Sequence, residues 1–193
     1  MNTTQPIRDS EKLQLLKNYY LSVEPNIRNH TLIIIGLNTA LRINDILHIT
    51  WGEIYNFDKN VVKNHLIIKE RKTGKQNIIA LNQDVKENLI QLLDSQKPVT
   101  KETFLFQSRK GSNQPLSRSQ AFRIIKKAAE NIGYPEHISC HSLRKTFGYY
   151  AWKQGIPPAV LMSIFNHSSF QITKRYLGIE QDDKDSVFLN VKL

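Results

Sequence analysis

Between Leu32 and Leu41 the chain reads LIIIGLNTAL, its most apolar stretch. The run is about half the length that a membrane-spanning helix needs. It therefore has to be buried within the protein. The pattern predicts a helix over about Ile27–Ala40, and its latter half is apolar almost all round. Such a helix has to be covered by neighbouring elements on nearly every side. Arg42 follows at once. A guanidinium beside so much apolar sequence is expected to be partly buried, where it needs an anionic partner. Two partners are open at this point: an internal acid such as Asp45, or an anion that the protein binds.

The other elements fall around this helix. A first helix runs from about Asp9 to Leu21, with Leu13, Leu15, Leu16 and Tyr20 apolar and Asp9 or Ser10 as its cap. Asn44 can cap a short helix reaching His48. The period then changes from helical to β-type at Val61–Val62, Leu66–Ile68 and Ile78–Leu81. Between the last two lies Lys69-Glu70-Arg71-Lys72-Thr73-Gly74-Lys75, so a β-hairpin over about 60–81 with a cationic tip is expected. Helical spacing resumes at Asn82, with Val85, Leu89, Leu92 and Leu93 on one face to about Ser95. Phe104–Phe106 reads as a short extended piece. Ser117 or Ser119 opens a strong helix marked by Ala121, Phe122, Ile125, Ala128, Ala129 and Ile132, which Gly133 stops. Further helices are expected over His141–Gln154 and Pro157–Phe165, and a last one leads to Tyr176. The expected fold is mainly α with a small antiparallel β-sheet. The 193 residues suit one domain over 1–193.

The 27 Lys and Arg against 17 Asp and Glu give a formal charge of +10. Such an excess favours a polyanion, because neutralising phosphates releases counterions. On the Ser117 helix, Arg118, Arg123, Lys126 and Lys127 form either a solvated cationic face or a surface for nucleic acid. The acidic residues gather late, at Glu180, Asp182, Asp183 and Asp185. Cys140 is the only cysteine, so an internal disulfide is impossible and a structural zinc site is disfavoured. The start, MNTTQPIRDSEK, has no cationic end followed by an apolar run, so no signal peptide is expected. No segment is long and apolar enough for a bilayer, and a cytoplasmic protein is expected.

The candidate chemistry lies in three places. His141 and Arg144 stand three apart, which puts them on one face of a helix. Arg144 could join Arg42 in gripping the non-bridging oxygens of a phosphate, with two guanidinium forks on one group. His167 precedes Tyr176 by nine residues in NHSSFQITKRY. That is two and a half helical turns, so the two share a face only if a loop at Ser168–Ser169 intervenes, with Ser169 as the next cap. A tyrosine so late in a chain is ordinarily a packing residue. With a phenol pKa near 10 it needs a base and nearby cations to act as a nucleophile.

Arg42, Lys72, His141-x-x-Arg144, His167 and Tyr176 stand in the order and rough spacing of the tyrosine recombinases, the phage integrase family. TALRINDILHITW resembles the family's first arginine box, HSLRK its second, and NHSSFQITKRY its nucleophile box. The resemblance covers residues 10 to 180. It implies the DNA breaking-rejoining catalytic-domain fold and a site-specific recombinase. Tyr176 would attack the scissile phosphate and form a 3′-phosphotyrosyl link, and Arg42 and Arg144 would hold the phosphate. Lys72 would protonate the leaving 5′-oxygen; Lys69 and Lys75 flank it on the same turn. His141 would assist proton transfer at the nucleophile, His167 would hydrogen-bond the phosphate, and Asp45 would support Arg42. No metal or cofactor is implied.

Arg118, Arg123, Lys126, Lys127, Lys75 and Lys145 are candidate DNA contacts. Lys145 stands where the family often has a second histidine, and Asn166 replaces a common glycine while tolerating a left-handed backbone. Typical integrases carry an N-terminal domain that clamps DNA; none is expected here. The layout resembles the bacterial fimbrial-switch inversion recombinases. The implied partner is double-stranded DNA, bound by a homo-tetramer, with accessory DNA-binding factors possible and a bacterial or mobile-element source. The tail over about 178–193 offers Val187, Phe188, Leu189 and Val191 either to a neighbouring subunit or to its own domain. Two other readings stand beside recombination: a type IB topoisomerase-like enzyme, and a DNA-binding accessory protein whose catalysis has decayed.

Overall fold

The computed structural model describes residues 4–191, with all side chains except those of 181–183 and 186. Helix α1 (Ser10–Ser22) is capped by the Asp9 carboxylate, which accepts from the backbone N–H groups of Glu11 and Lys12. Helix α2 (Ile27–Asn38) is buried from Asn29 to Leu37, as the apolar run requires. It stops two residues short of its expected end, because Ala40 takes a left-handed φ of 53°. That turn makes Arg42 the N-cap residue of α3 (Ile43–Leu47). Asn44, expected as the cap, lies inside α3 instead, and no side chain caps the helix.

Helix α4 (Trp51–Ile54) opens on a capping box between Thr50 and Glu53. The single expected hairpin becomes two ribbons. β1 (Tyr55–Asn56) pairs antiparallel with β2 (Val61–Val62), and β3 (His65–Lys69) pairs antiparallel with β4 (Gln76–Ala80). In the second ribbon Ile67 faces Ile78 across the strands. Leu66 and Ile68 are buried while their neighbours are exposed, and the same alternation turns Glu70 inward. Phe104–Phe106 forms no ladder; Thr50 and Phe104 make an isolated bridge.

Five more helices are as the periodicity predicts: α5 (Gln83–Gln96), α6 (Arg118–Asn131), α7 (Cys140–Lys153), α8 (Pro158–Phe165) and α9 (Phe170–Leu177). Asn82 caps α5 and Ser117 caps α6. Residues beyond Gly178 form α10 (Glu180–Asn190).

α2 packs on α1, α5 and α7 at once. Ile35 belongs to a cluster with Trp51, Leu66 and Leu89, whereas Ile33, two residues away, joins one with Leu16, Ile125 and Leu143. A third cluster, of Ala40, Tyr149, Leu161, Phe165, Leu177 and Ile179, sits under Tyr176. Each such aliphatic side chain contributes about 1.5–3 kcal/mol by leaving water. Among the described residues no helix is long and apolar enough to cross a membrane.

Candidate active site

Tyr176 stands on the last turn of α9. Ser169 caps this helix by accepting from the N–H of Ile172, and Gly178 ends it with a φ of 72°. The backbone reverses just before it, at Asn166, whose φ of 56° is the left-handed conformation that asparagine tolerates. This loop returns His167 to Tyr176, and the two rings meet edge-on at 5.3 Å. His167 Nδ1 lies 3.0 Å from Thr173 Oγ1, a hydroxyl on the buried side of α9.

α9 can come this close to α7 because Gly148 has no side chain. A Cβ there would lie 2.5 Å from Leu177 and 2.6 Å from Phe165. The Tyr176 ring packs 5.5 Å from that of Phe165. Burial raises the Tyr176 phenol above its ordinary pKa, opposed by the nearby guanidinium groups of Arg144 and Arg42. The group is therefore a neutral phenol at physiological pH and needs a proton acceptor before it can attack.

Arg144 is 3% exposed. Its guanidinium donates to the carbonyls of Ala40 and Phe165 and lies 4.8 Å from the centre of the Phe165 ring. Two backbone carbonyls, one from the turn after α2 and one from the end of α8, thus fix it.

Arg42 faces the same site from the N-terminus of α3. Its partner is not Asp45. Nη1 donates to Glu70 Oε2 at 2.6 Å, and the Glu70 side chain is wholly buried. Asp45 instead accepts the backbone N–H of Arg71 at 2.9 Å. Burial disfavours ionisation of Glu70, but hydrogen bonds from Thr73 and Arg42 outweigh it and hold the carboxyl below the usual glutamate range. Sequence reasoning missed Glu70. The signal was present, because period-two alternation from Leu66 through Ile68 aims Glu70 inward, and an inward acid requires a cation.

Lys72 is exposed on the β3–β4 turn and makes no hydrogen bond or ion pair with the described residues. On the same turn, Lys75 reaches Asn166 Oδ1 at 3.4 Å, so the turn meets the loop that carries His167. His141 is exposed in the first turn of α7. It borders a pocket of about 670 Å³ shared with Arg118, Arg123 and the amino ends of α6 and α7. Partial desolvation beside the pocket wall, then Arg118 and Arg144, lowers its pKa. His167 is lowered likewise, by burial and then by Arg144 and Arg42. Both histidines are neutral at physiological pH. Cys140 is no rival nucleophile, since burial pushes its thiol up to about 11.

The structure brings together Arg42, Arg144, His167 and Tyr176, with the Lys72 turn beside them and His141 at the rim. The remaining cations divide. Arg118 and Arg123 border the His141 pocket. Lys126 pairs with Glu130 and Lys127 with Glu24. Lys145, expected among the DNA contacts, is buried instead: its ammonium is 2.6 Å from the Thr4 carbonyl and 5.2 Å above the Tyr176 ring. It is held by the protein's own backbone and supports the tyrosine ring. Arg28 and Arg109, which the sequence did not single out, line a separate groove of about 1050 Å³ with Arg123 and Lys127.

Two guanidinium groups near one tyrosine, with two histidines nearby, make a cationic site whose chemistry suits an anion. The phage integrase family profile matches residues 7–182. The chain belongs to the phage integrase family. It is 40% identical over 182 residues to the probable integrase/recombinase YoeC of Bacillus subtilis (strain 168), covering 94% of this chain and 93% of that protein. It is 26% identical over 152 residues to the type 1 fimbriae regulatory protein FimE of Escherichia coli (strain K12), covering 77% of this chain and 73% of that one. Against the tyrosine recombinase XerA of Pyrococcus horikoshii the identity is 20% over 159 residues, covering 82% of this chain and 53% of XerA. The integrase thus spans about half the length of that relative.

A crystal structure of XerA recombinase superposes with a TM-score of 0.76 at 16% identity, covering 99% of this chain and 67% of that one. A lambda integrase dimer bound to a core site superposes with a TM-score of 0.67 at 19% identity, covering 92% of this chain and 60% of that one. The fold is the tyrosine recombinase catalytic-domain fold. The chain is of the site-specific recombinase class, whose members break and rejoin DNA.

Proposed function

We propose that Tyr176 is the nucleophile of a recombination reaction on double-stranded DNA. Its hydroxyl oxygen attacks the scissile phosphorus, the bond from phosphorus to the 5′-oxygen breaks, and a 3′-phosphotyrosyl link and a 5′-hydroxyl result. Attack by a 5′-hydroxyl reverses the step, so the phosphodiester energy is kept and no metal or cofactor takes part. The observation that carries this reading is the placing of buried, doubly anchored Arg144 and of Tyr176 on the same Phe165 ring, with His167 beside the tyrosine and Arg42 near enough to act on its phenol.

Arg42 and Arg144 hold the phosphate oxygens and stabilise the charge of the pentacoordinate state. Neutral His141 accepts the phenol proton and returns it on rejoining. Lys72, exposed on its turn, supplies the proton to the 5′-oxygen. His167 donates to a phosphate oxygen through Nε2, which requires the Thr173 hydroxyl to donate to Nδ1. Asp45 supports the arrangement through the backbone of Arg71.

DNA lies over the face where Arg118, Arg123 and Lys75 surround the site, with the amino ends of α6 and α7 favouring phosphate. Val187, Phe188, Leu189 and Val191 are 59%, 82%, 80% and 60% exposed, so α10 leaves this apolar patch open. A neighbouring copy covers it in a tetramer on DNA, and an accessory DNA-binding factor can assist assembly. A nicked suicide substrate tests the reading. A covalent adduct that maps to Tyr176 and disappears in Tyr176→Phe is the expected result; an adduct on any other residue refutes it.

A further inference from the structure

The two neighbours of Lys72 in sequence are both anchored to buried acids, Asp45 and Glu70. Before it, the Arg71 N–H donates to Asp45 Oδ1 at 2.9 Å. After it, the Thr73 hydroxyl donates to Glu70 Oε2 at 2.8 Å. That Glu70 oxygen is the one that accepts from Arg42, at 2.6 Å. One buried atom therefore ties the phosphate-facing guanidinium to the turn that presents Lys72. The turn is closed on the same residue by its backbone, since Glu70 N–H donates to the Lys75 carbonyl and Gly74 N–H donates to the Glu70 carbonyl. Asn77 Nδ2 lies 3.5 Å from the other carboxylate oxygen, Oε1.

We infer that Glu70 is a positioning residue for strand cleavage, whose carboxylate sets Lys72 in register with the phosphate that Arg42 grips. This rests on the reading of Lys72 as proton donor to the 5′-oxygen. Among the described residues no hydrogen bond or ion pair places the Lys72 side chain. A long, free side chain delivers a proton efficiently only if its backbone is held, because small displacements of a catalytic group are costly in rate. The ionised state of Glu70 suits the role. A carboxylate oxygen has lone pairs for both donors, and its charge balances an arginine that is itself largely buried. Glutamine at this position would keep the shape but leave the Arg42 charge uncompensated.

Sulfur substitution separates positioning of the proton donor from simple support of Arg42. A substrate with sulfur in place of the bridging 5′-oxygen releases a thiolate. With a thiol pKa of roughly 8.5, that group leaves without a proton. Thr73→Val removes the side-chain tie from the turn to the Glu70 carboxylate and leaves the Arg42–Glu70 pair and the backbone bonds in place. Thr73 is exposed, so the change is not expected to unfold the chain.

In single-turnover cleavage, Thr73→Val is expected to be slower than the parent by about 10-fold on the oxygen substrate and near the parental rate on the sulfur substrate. Lys72→Ala should show the same pattern more strongly, about 10²-fold, whereas Arg42→Ala should be slow on both. Glu70→Gln, which weakens both ties, should be only partly rescued by sulfur. Thr73→Val cleaving the oxygen substrate at the parental rate, or equally slow on both substrates, overturns the inference alone. A parent chain that forms no adduct with either substrate overturns the proposed function, and this inference with it.

Discussion

The imidazole of His167 meets the ring of Tyr176 edge-on, with centroids 5.3 Å apart, although nine residues separate them along the chain. A continuous helix would hold them on different faces. The left-handed Asn166 and the Ser169 cap reset the helical phase between them. The surroundings of Tyr176 are thus built by a helix break and by packing against α7.

That packing depends on Gly148. Gly148→Ala drives a methyl into Leu177 and Phe165, both fully buried. We expect a loss of about 1–3 kcal/mol in stability. Cleavage should fall further than stability accounts for, because α9 is displaced. Chemical denaturation, with cleavage measured at a temperature where the variant is fully folded, checks both effects. Unchanged cleavage in the folded variant would show that α9 tolerates the shift.

Arg144→Ala removes the proposed phosphate ligand and also leaves the carbonyls of Ala40 and Phe165 without their donor. Cleavage should be abolished, and stability should fall by about 1–3 kcal/mol. Non-specific DNA affinity should largely survive, because it arises from many dispersed cations. Gel shifts across a salt series, read beside thermal melts, test this division of roles. Near-complete loss of binding would contradict it.

The pH dependence follows from the histidines. Burial and the neighbouring cations lower both His141 and His167 below the ordinary 6.5. A base that must be neutral then works down to a lower pH than free imidazole, so the acid limb of the cleavage rate should lie below 6.5. The linkage to stability has the same sign. The unfolded chain binds these protons more tightly, so the contribution is present above about 6.5 and is lost as pH falls. Rate profiles and urea midpoints between about pH 5 and 8 measure both. An acid limb above 6.5 would mean that the site stabilises the imidazolium.

Phe188 is 82% exposed on α10. Phe188→Asp should leave cleavage of a single-site suicide substrate unchanged. Recombination between two sites should fall, because the apolar patch would no longer dock on a neighbouring copy. The two assays run side by side separate these steps. Full recombination by the variant would show that α10 does not bridge subunits.

Much of the fold was legible in the sequence because it is local. Capping by Asp9, Asn82, Ser117 and Ser169 follows from side-chain oxygens that bond N–H groups two or three residues on. The burial of α2 follows from its composition. The residue types of the site, and the loop between His167 and Tyr176, followed from the three boxes and from helical phase. Asn44 misled because the left-handed turn at Ala40 moved the start of α3, and a turn of that kind has no signature in an alanine.

Only tertiary structure decided the partners of the charges. Asp45 lies three residues from Arg42, yet Glu70, twenty-eight residues away, takes the guanidinium. Lys145 reads as a free cation, yet it is buried against the Thr4 carbonyl and the Tyr176 ring. A buried charge takes whichever opposite group or carbonyl the packing brings within hydrogen-bond reach. Spacing along the chain determined which residues could act, and the packing of α2, α7 and the β3–β4 turn determined which of them meet.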